Sequence, residues 1–117
     1  MPPAASLLQW AAMEVRKIQD EVRFSPDKMQ KVPLFGSDHY FCDLYCLTPG
    51  QEQRIHSHTD SDKIYCVIEG TGTVHIAGEE REITVGEAVV SRPGQDHGVR
   101  NDSGEKLVLL VFMTPRP

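Results

Sequence analysis

From His39 to Met113 the chain is a succession of short apolar or alternating runs, and each is closed by turn residues. Tyr40, Phe41, Leu44, Tyr45 and Leu47 end at Pro49–Gly50, and Lys63–Glu69 ends at Gly70, Thr71 and Gly72. Thr73–Ala77 ends at Gly78, and further runs follow at Arg81–Val85, Ala88–Ser91, Gly98–Asn101 and Lys106–Met113. Strands repeating every eight to twelve residues, with turn signals between them, predict an antiparallel sandwich or barrel. The segment from Asp27 to Gly36, with Pro33 inside it, reads as a connection able to add an edge strand.

The one helical pattern lies ahead of these strands. Ser6 with Gln9 forms a capping-box pair, and Leu8, Ala11, Val15, Ile18 and Val22 recur in steps of three and four, which predicts a helix over Ser6–Arg23. Its apolar stripe needs a cover. The same is true of the last run, Leu107–Phe112, which is apolar at every position, and of Ile64, Cys66 and Ile68, whose parity is opposite to Lys63, Tyr65 and Val67. An uncovered apolar sheet face is a liability, so the helix, a second subunit or both should sit on it, and a homodimer is the expected assembly.

At 117 residues the chain is long enough for one core. Residues 1–37 form the helix and connecting segment and residues 38–117 the barrel, together one compact unit. A net charge of −5 excludes a phosphate-neutralising surface, so neither nucleic acid nor an anionic membrane is the expected partner. No apolar run reaches membrane-spanning length, and the first residues do not read as a secretory leader. Cys42 and Cys46 on one strand would lie roughly 13 Å apart, beyond disulfide reach, and three thiols of this kind fit a reducing cytoplasm.

The chemistry concentrates between Gly50 and Asn101. His56 and His58, two apart, share one face of an extended segment, where two imidazoles can chelate one metal ion, and His97 follows the turn-rich run Ser91–Asp96. Neutral imidazoles suit divalent zinc, iron, nickel, manganese or copper, and three protein ligands leave open positions on the ion. No nucleophile triad, phosphate-cradling glycine loop or nucleotide fingerprint is present.

The spacing of these residues carries a resemblance. From Gly50 the chain runs five residues to His56, one to His58, four to Lys63 and six to Gly70. From Gly86 it runs five residues to Arg92, one to Gly94, two to His97 and three to Asn101. This resembles the two motifs of the cupin family, with Lys63 where the pattern has an acidic fourth ligand and with Pro93 one place late. The resemblance implies an all-β double-stranded β-helix, or jelly-roll barrel, after the one N-terminal helix, with a metal held by His56, His58 and His97 and a pocket shaped by Lys63, Tyr65 and Val67. His75 falls outside the motifs, and its parity with Thr73 and Ala77 makes it a further candidate for the pocket. Asp62 is the alternative ligand, ahead of Asp60. The resemblance also implies a small polar organic molecule as the ligand, and an ion with no protein carboxylate beside it should prefer an anionic one. Two functional readings follow: a dioxygenase-, isomerase- or decarboxylase-like enzyme, or a non-catalytic binding or sensing protein. Lys63 is expected to swing out toward Asp60, Asp62 or Glu69, and Asn101 is expected to be a turn residue.

Overall fold

The computed structural model describes residues 13–117. Nine strands run in the order β1 Gln30–Gly36, β2 Phe41–Leu47, β3 Glu52–His56, β4 Asp62–Glu69, β5 Thr71–Ile76, β6 Glu79–Thr84, β7 Ala88–Ser91, β8 His97–Arg100 and β9 Leu107–Thr114. They form a five-stranded sheet, β1-β2-β9-β4-β7, and a four-stranded sheet, β3-β8-β5-β6. Every strand pairing is antiparallel. The expected all-β barrel is therefore the architecture found, and β1, inside the segment read as a connection, is an edge strand of it.

Period-2 alternation builds the interior. Tyr45, Leu47, Tyr65, Val67, Val74, Ile83, Val99, Leu107, Leu109 and Val111 face one another between the two sheets. The alternate positions of β2 and β9 point outward, where Leu44, Cys46 and Val108 join Val32 and Leu34 of β1 in a second apolar layer. Ile18, Val22, Phe24, Ile68 and Leu110 pack against that layer, so the outer face of the five-stranded sheet is covered largely by the chain's own N-terminal segment. Deep burial of an aliphatic side chain is worth roughly 1.5–3 kcal/mol, which favours this cover over an exposed sheet.

Among the described residues the helix is shorter than the apolar periodicity predicts. Its described part is a single turn, α1, over Ile18–Glu21, flanked by extended backbone at Lys17 and Val22 and without a side-chain cap. The capping-box pair Ser6–Gln9, with Leu8 and Ala11, lies outside the described residues. Val15, on the predicted stripe, is exposed. The physical reason is that Ile18, Val22 and Phe24 reach the sheet from a mostly extended strap, and a short helix gains little on its own in water.

Asn101 is the turn residue expected. Fully buried, its Nδ2 donates to the carbonyls of Leu47 (3.0 Å) and Glu105 (2.7 Å), and its Oδ1 accepts from the backbone N–H of Ser103 (3.0 Å). It ties the end of β2 to the loop entering β9. Cys42, Cys46 and Cys66 are free thiols.

Candidate metal centre

His56 is the last residue of β3, and His97 opens β8 directly opposite it in the ladder. His58 lies two residues beyond the strand end, in the loop before β4, so it is not held by strand geometry. It is held by its backbone instead: the carbonyl of His58 accepts from the N–H of Gly94 at 2.8 Å. That turn is itself stiffened, because Gln95 Oε1 accepts from the N–H of Arg92 at 2.8 Å while the Gln95 N–H donates to the Arg92 carbonyl. The displaced proline thus leaves a well-bonded turn that fixes two of the three histidines relative to each other.

The three imidazoles converge. Each offers a ring nitrogen such that the three atoms lie within 4.8 Å of one another. Ring centroids are 4.4 Å apart for His56 and His97, 5.0 Å for His56 and His58, and 5.5 Å for His58 and His97. Backbone carbonyls set the tautomers. His56 Nδ1 lies 2.8 Å from the Arg54 carbonyl and His97 Nδ1 lies 3.2 Å from the Gln95 carbonyl, and a carbonyl oxygen can only accept. We assign the proton to Nδ1 in both rings, which leaves the Nε2 lone pairs free. Ser91 Oγ, 3.0 Å from His97 Nδ1, adds a second contact to the same nitrogen.

His97 Nε2 is buried and meets no hydrogen-bond partner among the described residues. A buried unpaired acceptor is costly, and a metal ion is one group that relieves it. Burial, then the charges of Lys63 and His56, hold the His97 imidazole down at about 4, and burial followed by His56 lowers His58 as well. Both are neutral at physiological pH, the state in which imidazole binds a metal. The residues present therefore fit a divalent transition metal.

Lys63 points into the barrel but not as expected. It is 1% exposed, and its Nζ donates to Gln53 Oε1 at 3.3 Å rather than swinging out to an acidic partner. The rings of Tyr45 and Tyr65 lie 5.3 and 5.2 Å from it. The strand register explains this: Lys63 is paired with Ser91 and Met113 on inward-facing positions, so its stem has no short route to solvent. Burial, followed by Lys31, lowers its pKa to about 7, with Asp43 opposing.

Tyr65 and Val67 follow Lys63 inward, but as fully buried core residues. The cavity beside the triad, about 420 Å³, is lined instead by His58, Thr59, Asp60, Ser61, Pro115, Arg116 and Pro117. His75 is a correction. Its neighbours Val74 and Ile76 pack into the core, so His75 faces outward, 3.8 Å from Glu80 and accepting from the Gly78 N–H. Asp62 lies outside the ligand cluster, its Oδ1 3.6 Å from Arg92 Nη1.

Gln53 is the residue the sequence hid. Buried, it accepts from Lys63 and from the Tyr65 hydroxyl (2.8 Å) and donates to the Tyr45 hydroxyl (3.0 Å). Strict alternation puts Gln53 and His56 on opposite faces. The register irregularity between them in β3 brings both inward, and a residue count carries no signal for it.

Comparison with known proteins agrees with this geometry. The family model described as Cupin domain matches residues 43–113. The tetracenomycin polyketide synthase protein TcmJ of Streptomyces glaucescens is 36% identical over 75 residues, 61% of this chain, and the chain spans about half the length of that curated relative. Among solved structures, TT1209 from Thermus thermophilus is 42% identical with a TM-score of 0.87, covering 90% of this chain and all of that one. A predicted oxalate decarboxylase from Thermotoga maritima shares the fold at 20% identity and a TM-score of 0.72, covering 75% of this chain and 81% of its own. The family match spans both histidine segments and the strands that carry them, and the chain belongs to the cupin family.

Proposed function

We propose that this cupin holds one divalent transition metal through His56, His58 and His97 and binds a small anionic organic molecule at the positions the protein leaves open. The observation that carries the reading is the convergence of three ring nitrogens within 4.8 Å, one of them the buried, unpartnered Nε2 of His97. Zinc, iron, nickel, manganese and copper all suit such a donor set. When bound, the ion would act as a Lewis acid toward a ligand oxygen.

The protein's own part is to keep His58 and His97 neutral by burial and to fix the His56 and His97 rings through the Arg54 and Gln95 carbonyls. A carboxylate is absent from the ligand cluster, and Lys63 stands behind it, so the charge of the ion is left to an incoming anion. The likeness to TcmJ, named for a polyketide synthase, supports chemistry on an organic molecule, and we read it as dioxygenase-, isomerase- or decarboxylase-like. The three free thiols suit a reducing, cytoplasmic setting.

Elemental analysis of purified protein tests the centre. About one metal per chain is expected, falling at least tenfold in affinity in His56→Ala and His97→Ala. Metal content unchanged in both variants would overturn the reading.

A further inference from the structure

His56 and His97 are not held alike on the ring nitrogen that faces away from the centre. His56 Nδ1 has the Arg54 carbonyl at 2.8 Å. His97 Nδ1 has a longer carbonyl contact, 3.2 Å to Gln95, and a closer one to a side chain, 3.0 Å to Ser91 Oγ. Ser91 is the last residue of β7 and is fully buried, so its hydroxyl is shielded from water.

A hydroxyl can donate or accept, and which of the two Ser91 does toward His97 decides the tautomer of the ring. If it donated to Nδ1, the ring proton would sit on Nε2 and the lone pair would be lost from the centre. The Gln95 carbonyl sets the direction. It lies 3.4 Å from Ser91 Oγ and can only accept, so it draws the hydroxyl proton and leaves an oxygen lone pair for the His97 N–H. The far side of the ring adds no preference, because His97 Nε2 meets no hydrogen-bond partner among the described residues.

We propose that Ser91 is a positioning residue for the metal centre: its hydroxyl, oriented by the Gln95 carbonyl, accepts from His97 Nδ1–H and so presents Nε2 to the ion as a lone pair. The inference rests on the metal reading above and adds what prepares one of its ligands. Partners on the far nitrogen of a ligating histidine fix both the tautomer and the ring, and losing one weakens a metal site by roughly 10–100-fold. The turn after Ser91 serves two histidines at once. Its Gly94 N–H holds the His58 carbonyl at 2.8 Å, and its Gln95 carbonyl orients both Ser91 and His97.

Nitrogen-15 NMR of the metal-free protein near neutral pH reads the tautomer, with His56 as the internal reference because its carbonyl partner is independent of Ser91. Wild-type His97 is expected to carry its proton on Nδ1. In Ser91→Ala the His97 ring is expected to divide between both tautomers while His56 is unchanged. Zinc affinity, by calorimetry against a competing chelator, is expected to fall about tenfold or more in the same variant. Ser91→Thr keeps the hydroxyl and is expected to retain the tautomer and most of the affinity. A wild-type His97 protonated on Nε2, a Ser91→Ala ring that stays wholly protonated on Nδ1, unchanged zinc affinity in Ser91→Ala, or a loss in Ser91→Thr as large as in Ser91→Ala overturns the role of Ser91. A wild-type protein that takes up no zinc overturns the metal reading instead, and the metal-free spectra still decide whether Ser91 sets the tautomer.

Discussion

Lys63 is the residue whose behaviour departs furthest from its sequence context. An ammonium in a core is disfavoured unless paired, and its one acceptor here is the neutral Gln53. Its pKa falls from an ordinary 10.5 to about 7, so between those values the unfolded chain holds a proton that the folded chain has released. Stability then rises with pH through this window, and the full penalty, on the order of 5 kcal/mol at most, stands below about pH 7. Above pH 9 the raised thiols of Cys42 and Cys46 and the Tyr45 hydroxyl, pushed up to about 12, act in the opposite direction. Urea denaturation of metal-free protein from pH 7 to 8.5 is expected to show rising stability that Lys63→Met flattens. Lys63→Met should also be more stable at pH 7, by about 2 kcal/mol, since an apolar side chain of similar length removes the buried charge. Parallel pH profiles for the two proteins would show that Lys63 keeps an ordinary pKa.

At the level of elements, the site depends on how closely β3 approaches β8. Gly98 follows His97, and a Cβ built there would lie 2.9 Å from the Gln53 carbonyl oxygen and 3.1 Å from the Ile55 nitrogen. Both obstacles are backbone, so Gly98→Ala must push β3 away from β8 and take His56 from His97. The expected outcome is weaker metal binding, by tenfold or more, with all three histidines still present, together with a stability loss of about 1–3 kcal/mol. Metal affinity matching the wild type in calorimetry would mean that the strand spacing does not set the centre. This is also where sequence reading reached its limit. Strands, turns and the three histidines were legible because period 2 and glycine-marked turns are local signals. The placement of Gln53 depends on an irregular register, and the tail meets the loop after His58 through the bond from Ser61 to Pro115, residues far apart in sequence. His75 was misplaced by parity, because parity fixes which residues share a face but not which face is the inner one. The predicted helix is found, among the described residues, only as one turn, because Ile18 and Val22 fit a helical period while a strap with Phe24 covers the sheet as well.

For the whole molecule, the outer face of the five-stranded sheet decides the assembly. The strap covers its middle, and what remains is at the β7 side, where Ile64 is 38% exposed and pairs across the ladder with Val90 on one flank and Phe112 on the other. β7 is an edge strand of four residues, so one side of its backbone is unpaired by neighbours in the sheet. An edge with apolar side chains next to it invites pairing with a second copy, whereas the opposite edge, β1, is guarded by Pro33 and a register shift. We propose a homodimer related by a two-fold axis at this patch, because a two-fold contact buries the same residues from both copies. Light scattering at tens of micromolar is expected to return twice the 13.1 kDa chain mass. Ile64→Glu would place a charge from each copy at the contact and should return the monomer with metal content unchanged, since Ile64 faces away from the triad. A wild-type monomer, or an Ile64→Glu protein that stays dimeric, would move the interface elsewhere or remove it.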